Sequence, residues 1–352
     1  MTETSPDVSL TIFAGIDTHK DTHHAAIIDY LGREIADRQF PATATGYQAL
    51  LAWLNGTGIT ARVGVEGTGS YGSALAMVLQ AAGIDVVDVD RTDRRSRRFH
   101  GKSDTLDAYS AARLAASGGA RTIPKAHNGD VEAIRFLHNT RRSAVKSRAE
   151  AITGLKSAVV NAPETIREQL RPLTSTTLVK ACALLRPGTV APGEINAAVK
   201  TALRSTARRI QFLDQQIKAL EAHLKVLIDA TATGLVTTFG VGYETAAQLL
   251  ITVGDNPHRI ADEAAFASLC GVAPIPASSG KTNRHRLNRG GNRQANRALH
   301  IIVMARLKYD QRTRDYRDRR LAEGKTKRDI IRCLKRAVAR EMFQLLTHKT
   351  TA

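Results

Sequence analysis

The first 125 residues alternate between short apolar runs and stretches in which apolar positions recur at helical spacing. Residues 10–16 and 24–30 are apolar enough for buried strands, and Leu31-Gly32 makes a turn into a third strand. Further along, the pattern predicts a helix over 45–54, a strand over 61–65, a helix over 73–82, a strand over 84–89 and a helix over 104–116. A meander followed by alternating strands and helices predicts an α/β layer with a mixed sheet.

Beyond Pro124 the pattern is helical. Residues 131–160 are expected to form a long basic helix, and prolines break the following stretch into short pieces. A second long helix, over 197–229, has apolar residues at heptad-like spacing from Ile210 onward. This spacing is typical of an amphipathic helix packed inside its own domain, and also of a coiled-coil dimer contact. The predicted domains are 1–125 (α/β), 126–230 (a helical connector) and 231–352 (basic and helical).

The net charge is large and unevenly distributed. The 352 residues include 51 Lys and Arg against 33 Asp and Glu, a formal charge of +18 that indicates a polyanionic partner. Residues 1–90 have 4 basic and 11 acidic side chains, whereas residues 91–156 have 15 and 6, and residues 281–352 have 21 and 6. Because carboxylates repel phosphates, an acidic block next to basic blocks suggests that a divalent metal lies between the acids and a nucleic acid.

Several classes of protein are excluded by composition. No apolar run approaches the roughly 18 residues that a membrane span needs. Residues 1–9 contain two acids and no basic segment, so no secretory signal is expected. The cysteines, Cys182, Cys270 and Cys333, are scattered and lack the spacing of a zinc site or a disulfide framework. A reduced, cytoplasmic protein is therefore expected.

Residues 67–72 match the G-x-G-x-x-G pattern of dinucleotide-binding folds, and Asp88 or Asp90 follows about 20 residues later. A nicotinamide-dependent oxidoreductase is therefore one hypothesis. However, Glu66 immediately before the glycines would repel a pyrophosphate, and no second mononucleotide-binding half follows residue 125. We favour a strand-to-helix turn that passes close beside Glu66.

Four carboxylates stand where they could converge. Asp17 ends the first predicted strand, Glu66 ends the fourth, and Asp104 and Asp107 share one face of a helix. Oxygen ligands suit Mg²⁺, and two such ions about 4 Å apart can assist phosphoryl transfer. Taken alone, Asp104 and Asp107 would be ordinary first-turn acids, and Asp17 an ordinary turn residue. The basic run at 91–102 that accompanies these acids favours a site.

Three histidines, His19, His23 and His24, follow Asp17 closely. Zinc sites need a fourth ligand at a matching spacing, which this stretch lacks. We therefore interpret the histidines as a polar hairpin edge rather than as metal ligands.

Residues 239–242, Phe-Gly-Val-Gly, precede a predicted helix. In a helix-hairpin-helix element, Gly240 and Gly242 would let backbone N–H groups reach a phosphate without reading sequence. The alternative is a helix–helix turn that needs glycine for packing alone.

Ser278 and Ser279 precede Gly280 and a strongly basic stretch. The cations expected to bind nucleic acid here are Lys281, Arg284, Arg286, Arg289 and Arg293. A hydroxyl in such a loop is a candidate phosphate ligand or, once activated, a nucleophile. From spacing alone, an ordinary loop explains the serines equally.

Together these motifs resemble one known family. Residues 15–20 (GIDTHK), 65–71 (VEGTGSY) and 102–108 (KSDTLDA) resemble the DEDD motifs of insertion sequence 110 family transposases. Residues 239–242 (FGVG), 269–274 (LCGVAP), 278–280 (SSG) and 289–293 (RGGNR) resemble that family's C-terminal transposase domain. The motifs occur in the family's order along nearly the whole chain.

The resemblance implies a RuvC/RNase H-like N-terminal domain whose Asp17, Glu66, Asp104 and Asp107 bind Mg²⁺, as two ions. It implies that Ser279, with Ser278 as the alternative, attacks a DNA phosphate and becomes covalently linked to it. Such enzymes recombine the ends of their element with target DNA, and in one branch a structured bridge RNA pairs with both DNAs. In that branch the active site is composite, with the acidic domain of one subunit facing the serine domain of another in a tetramer. The resemblance therefore implies that this chain forms a homo-oligomer, a dimer or a tetramer.

Two other functions remain open at this point. A hydrolytic or junction-resolving nuclease of the same fold would use water as the nucleophile, and Ser279 would only grip phosphate. A basic architectural protein would bind nucleic acid with a dead acidic site, although all four acids are intact.

Overall fold

The computed structural model describes residues 10–89, 103–280 and 285–347. The chain forms two compact units. The first, the sheet unit, comprises Met1–Gly129 and Val253–Ala261; the second, the helical unit, comprises Asp130–Thr252 and Asp262–Ala352. The helical unit thus contains most of both the connector and the C-terminal segment, and the separation of those two into domains stays a prediction.

The sheet unit is built on five strands. Its elements are β1 (Thr11–Thr18), β2 (Thr22–Asp29), β3 (Glu34–Pro41), α1 (Ala44–Thr57), β4 (Ile59–Glu66), α2 (Ser73–Ala81), β5 (Val86–Val89) and α3 (Asp104–Ala116). The strand order is β3-β2-β1-β4-β5, antiparallel across the meander and parallel from β1 to β4 to β5. The predicted α/β layer with a mixed sheet is confirmed, and the arrangement fits an RNase H-like fold.

The side chains of β1 alternate between two buried faces of this sheet. Ile12, Ala14 and Ile16 lie in a core with α1 and α2, whereas Phe13 packs on the opposite face, with α3. The second face is shallow because α3 presents alanines to it, which are Ala108, Ala111, Ala112 and Ala115. Small side chains allow the helix axis to approach the strands closely.

A segment far along the chain completes the sheet unit. The Asn256 side chain accepts a hydrogen bond from the Ala126 amide at 3.0 Å and donates one to the Pro124 carbonyl at 2.9 Å. Arg259 donates to the Val253 carbonyl at 2.7 Å. The sequence pattern gives no sign of this return of Val253–Ala261.

The helical unit is dominated by two long helices. Its elements are α4 (Asp130–Val160), α5 (Glu164–Leu170), α6 (Ser175–Ala183), α7 (Ile195–Thr231), α8 (Thr233–Val236), α9 (Tyr243–Val253), α10 (Glu263–Leu269), β6 (Ile275–Pro276), β7 (His285–Arg286), α11 (Arg293–Tyr309), α12 (Gln311–Ala322) and α13 (Lys327–Thr347). Across the described ranges, no helix has the length and apolar character needed to cross a membrane.

Helices α4 and α7 pack antiparallel along their length. Arg141 of α4 donates to Glu221 of α7 at 2.7 Å, and Arg148 pairs with Asp214. The apolar core of this pair is formed by Leu155, Val159, Leu203, Ala207 and Ile210. Part of the heptad-like stripe is therefore buried within the chain itself, and a dimer contact through α7 stays a prediction.

Candidate active site

The ends of β1 and β4 bring two of the predicted acids to one edge of the sheet. These strands are parallel neighbours with Ile16 opposite Val65, so Asp17 and Glu66 follow side by side. The Thr18 hydroxyl donates to the Glu66 carbonyl oxygen at 2.7 Å and ties the two strand ends together. Parallel strands place successive carboxyl ends at the same edge, which is where α/β sheets bind ligands.

The other two acids lie in the first turn of α3. Ser103 caps this helix, because its side chain accepts a hydrogen bond from the Leu106 amide at 3.2 Å. Asp104 is exposed and Asp107 is buried. Both also suit the positive end of the helix dipole, so their position alone does not make them ligands.

Asp17, His19 and Asp104 form an acidic cluster. His19 Nδ1 lies 3.7 Å from Asp17 Oδ2 and 3.9 Å from Asp104 Oδ2. Among the described residues, one ligand atom from each of these three side chains lies within 4.8 Å of the other two. Carboxylate oxygens suit Mg²⁺ or Mn²⁺, and an imidazole nitrogen also suits Mn²⁺ or Zn²⁺, so the donor set fits a divalent ion. Glu66 and Asp107 lie at the neighbouring strand end and helix turn, outside this cluster.

The three histidines have different surroundings. His19 belongs to the acidic cluster, although the sequence favoured a purely polar edge. His23 is fully buried and stacks on Tyr47 with ring centroids 5.6 Å apart, and this burial lowers its pKa. His24 lies opposite Asp17 in the β1–β2 ladder and is only partly exposed.

His24 lies at the centre of a hydrogen-bonded network beside the acidic cluster. Sequence reasoning missed this network. Its Nε2 lies 2.7 Å from Asp37 Oδ1 and 3.1 Å from the Thr105 hydroxyl. Tyr109 donates to Asp37 Oδ2 at 3.4 Å, and burial together with the Asp37 charge raises the pKa of Tyr109 to about 12. The network connects β2 and β3 to the first turns of α3, next to Asp104.

The glycine-rich turn has a structural role in the sheet unit. It joins β4 to α2, as the favoured interpretation expects. Asp88, a candidate ribose ligand in the oxidoreductase hypothesis, accepts a hydrogen bond from Thr68 of this turn at 2.6 Å. Asp90 lies outside the described residues, as does the basic run 91–102.

The candidate serines lie on a hairpin of the helical unit. Strands β6 and β7 pair Ile275 with Arg286, and Ser278 and Ser279 follow β6 as exposed residues. Of the predicted nucleic-acid ligands, Arg286, Arg289 and Arg293 are exposed, whereas Lys281 and Arg284 lie outside the described residues.

The turn at 239–242 separates the four-residue α8 from α9. Gly240 has a φ of +84°, and a Cβ there would lie 3.2 Å from Cγ of Arg306. Arg306 Nε donates to the Phe239 carbonyl at 2.9 Å and holds the turn against α11. Gly240 is therefore required by packing, whereas a Cβ on Gly242 would meet no heavy atom within 4 Å.

Two family models match this chain. The DEDD model of IS110 transposases covers residues 14–162, and the model described as "Transposase IS116/IS110/IS902 family" covers residues 232–318. The chain belongs to the IS110 family of transposases. The first match contains all four acids, and the second contains the glycine turn and the serine hairpin. A transposase is an enzyme that cuts and rejoins DNA, and the acidic cluster of this DEDD-type domain suggests that it uses a divalent metal.

Two curated relatives place this transposase among insertion-element proteins. The insertion element IS110 43.6 kDa protein of Streptomyces coelicolor is 37% identical over 149 residues, which are 42% of this chain and 36% of the relative. The insertion element IS900 42 kDa protein of Mycobacterium paratuberculosis is 22% identical over 384 aligned positions, covering 95% of each chain. The match to the first relative thus spans about a third of that protein.

Proposed function

We propose that this transposase cuts and rejoins DNA by metal-assisted attack of the Ser279 hydroxyl on a phosphodiester. The observation that carries the proposal is the cluster of Asp17, His19 and Asp104 at the carboxyl end of β1. Asp17 and Asp104 would hold one divalent ion, and Glu66 and Asp107 would complete the ligand set for a second. Bound there, Mg²⁺ would stabilise negative charge on the phosphate that reacts.

Ser279 suits the role of nucleophile because it is exposed on a short hairpin. Its hydroxyl gives up a proton, Oγ bonds to phosphorus, and the bond from phosphorus to one deoxyribose oxygen breaks. The released oxygen takes up a proton, and the DNA end stays esterified to the serine. Because the ester keeps the phosphodiester energy, attack by a deoxyribose hydroxyl rejoins DNA and frees Ser279.

The basic segments would hold the DNA backbone around this reaction. Exposed Arg286, Arg289 and Arg293 follow the serine hairpin, and Lys281 and Arg284 fall in the same stretch of sequence. We assign these side chains to phosphates of the element ends and target DNA, with the turn at Gly240 and Gly242 as a helix-hairpin-helix grip. The Gly242 amide donates to Thr245 Oγ1 at 3.1 Å and would exchange that acceptor for a phosphate oxygen. The resemblance further supports a structured guide RNA as partner.

The proposal includes a homo-oligomer, a dimer or a tetramer, in which acids and serine from different subunits act on one DNA. Mixing inactive Asp17→Asn protein with inactive Ser279→Ala protein tests this arrangement. Restored strand cleavage in the mixture supports it. A mixture as inactive as its components, when both variants fold and oligomerise, contradicts it.

The direct test is to trap the covalent intermediate. Protein is incubated with Mg²⁺, a plasmid that carries the element ends, and RNA transcribed in vitro from the DNA that flanks the gene, as the source of the proposed guide RNA. The mixture is then denatured. Adducts are then measured as DNA-linked protein. Wild type and the matched control Ser278→Ala should form adducts, and Ser279→Ala and Asp17→Asn should form none. Adducts that persist in Ser279→Ala would place the nucleophile elsewhere. Cleavage without adducts in any variant would identify water as the nucleophile and a hydrolytic nuclease.

A further inference from the structure

A cavity of about 520 Å³ in the helical unit lies next to the serine hairpin. Three segments form its walls: Gly271–Pro274, residues 285–288, and one face of α13. Residues 285–288 include both residues of β7. The volume falls within the roughly 300–1,000 Å³ typical of small-ligand sites. The motif at 269–274, to which the proposed reaction assigns no role, thus forms part of a cavity wall.

Lys335 is a cation held in place by neutral groups in this cavity. Its ammonium donates to Asn296 Oδ1 at 2.9 Å. Asn296 in turn donates to the carbonyl oxygens of Cys270 at 2.9 Å and Gly271 at 3.1 Å. Partial burial, together with the nearby charge of Arg332, lowers the pKa of Lys335. Because no carboxylate neutralises Lys335 in the part of the chain that the structure describes, its charge stays available to a ligand.

The cavity as a whole has more cations than anions. The cationic side chains that line it are Arg286, Arg332, Lys335, Arg336 and Arg340, against one carboxylate, Asp329. Arg332 pairs with Asp329 at 3.0 Å, and Arg336 and Arg340 share Glu263. Arg286 has no ion pair within the described ranges. Two cations, Arg286 and Lys335, therefore remain for an anion.

One part of the lining is apolar, whereas His285 and Asn288 add neutral polar groups. Val272, Pro274, Leu287 and Ala337 face the same space as the cations. A site for inorganic phosphate alone has no use for such a surface, whereas a planar base gains from contact with it. The combination of an apolar wall with fixed cations matches a nucleotide, because the flat base can lie against the wall and the anionic phosphate can bind the cations.

We propose that this cavity binds a single unstacked nucleotide of the nucleic acid, with its base against the apolar wall and its phosphate on Lys335 and Arg286. The proposal rests on the proposed function only in that the natural ligand is part of a nucleic acid strand. An extruded nucleotide would fix the register of that strand relative to the serine hairpin. Binding at the cavity needs neither the metal nor the Ser279 hydroxyl.

The test is a titration of full-length Ser279→Ala protein, without metal, with 2-aminopurine deoxyriboside 5′-monophosphate, read as fluorescence anisotropy. Lys335→Gln should weaken binding about tenfold or more, because it removes a charge-assisted hydrogen bond to phosphate. Ala337→Phe should abolish binding by filling the cavity, since Ala337 is exposed and tolerates a larger side chain. The matched controls are Lys327→Gln on the same helix and Ala322→Phe on α12, both at exposed positions outside the cavity.

Cys333 provides a second readout that does not depend on the fluorescent base. It is the one exposed cysteine, since Cys182 and Cys270 are buried, and it lines the cavity. Deoxyadenosine monophosphate should slow its reaction with a thiol reagent in wild type but not in Ala337→Phe.

Three results would overturn the proposal. The first is that both cavity variants bind the nucleotide as tightly as the parent protein does. The second is that the control variants weaken nucleotide binding as much as the cavity variants do. The third is that inorganic phosphate displaces the fluorescent nucleotide at concentrations no higher than those at which deoxyadenosine monophosphate displaces it. Because the titration uses Ser279→Ala without metal, its outcome is independent of whether the serine reaction itself is correct. Failure of the adduct experiment with intact nucleotide binding would refute the reaction and leave the cavity site standing.

Discussion

Gly15 lies so close to Ala108 that a Cβ on the glycine would stand 2.1 Å from the alanine carbonyl oxygen. The same Cβ would stand 2.1 Å from the Ala112 amide nitrogen, so the backbone of α3 lies directly over this point of β1. Two residues after Gly15 comes Asp17, and one residue before Ala108 comes Asp107. The absence of one side chain in β1 therefore sets the distance between the strand and the helix that hold the acids.

Gly15→Ala should destabilise the sheet unit by about 2–3 kcal/mol or more, because the methyl group cannot be accommodated without moving α3. Thermal unfolding followed by circular dichroism measures this change. Gly56→Ala is the matched control, since a Cβ at Gly56 meets no atom within 4 Å and alanine favours its helix. Equal melting temperatures for Gly15→Ala and wild type would contradict the close packing of α3 on β1.

His19→Ala should weaken the binding of Mn²⁺ more than the binding of Mg²⁺, because an imidazole nitrogen is a better ligand for Mn²⁺ than for Mg²⁺. The measurement is the concentration of each ion that gives half-maximal strand cleavage. Lys20→Ala, at the exposed neighbouring position, is the control. If His19→Ala raises both concentrations by the same factor, the ring only neighbours the acids and does not bind the ion.

Acidification below pH 6.5 should destabilise the sheet unit through His23. Burial lowers its pKa from 6.5, so as pH falls the unfolded chain binds the proton before the folded chain does. The stabilising contribution is complete above pH 6.5 and is lost as pH decreases toward the folded-state pKa. His23→Phe keeps the stacking on Tyr47. Its melting temperature should decrease less between pH 7.5 and pH 5.5 than the melting temperature of wild type does. Identical pH dependence in the two proteins would exclude His23 as the cause.

The two glycines of the turn at 239–242 should respond differently to alanine. Gly240→Ala should cost about 1–2 kcal/mol of stability, because an L side chain is strained at positive φ and meets Arg306. Gly242→Ala should fold as wild type and weaken duplex DNA binding, because the methyl group keeps a phosphate away from the turn amides. Thermal unfolding and DNA anisotropy separate the two effects. Unchanged DNA binding by Gly242→Ala would restrict the turn to a packing role.

Sequence reasoning succeeded where the structure depends on local pattern. The apolar runs at 10–16, 24–30 and 61–65 all became strands, and the helix expected over 104–116 has the same bounds in the structure. The position of Asp17 and Glu66 at neighbouring strand ends follows from the same pattern, because parallel strands share an edge.

It failed where contacts join distant parts of the chain. The hydrogen bond between Asn256 and Ala126 spans 130 residues and leaves no periodic signal in either segment. Likewise, His24 contacts Asp37 only because β2 pairs with β3 in one register. Thr105, the third member of this contact, lies on a helix 81 residues after His24 in the sequence. His19 joined Asp17 and Asp104 through a turn whose geometry no spacing rule specifies.

The alternation of β1 side chains between the two faces of the sheet also determines which mutations in this strand the transposase tolerates. Loss or gain of one codon between Ile12 and Asp17 would turn every later side chain of the strand to the opposite face. Ile16 would then face α3, and the carboxylate of Asp17 would be directed into the core beneath α1 and α2. A single in-frame insertion or deletion there should therefore inactivate the transposase, whereas exchange of Ile12 or Ile16 for another apolar residue leaves Asp17 on its own face of the sheet.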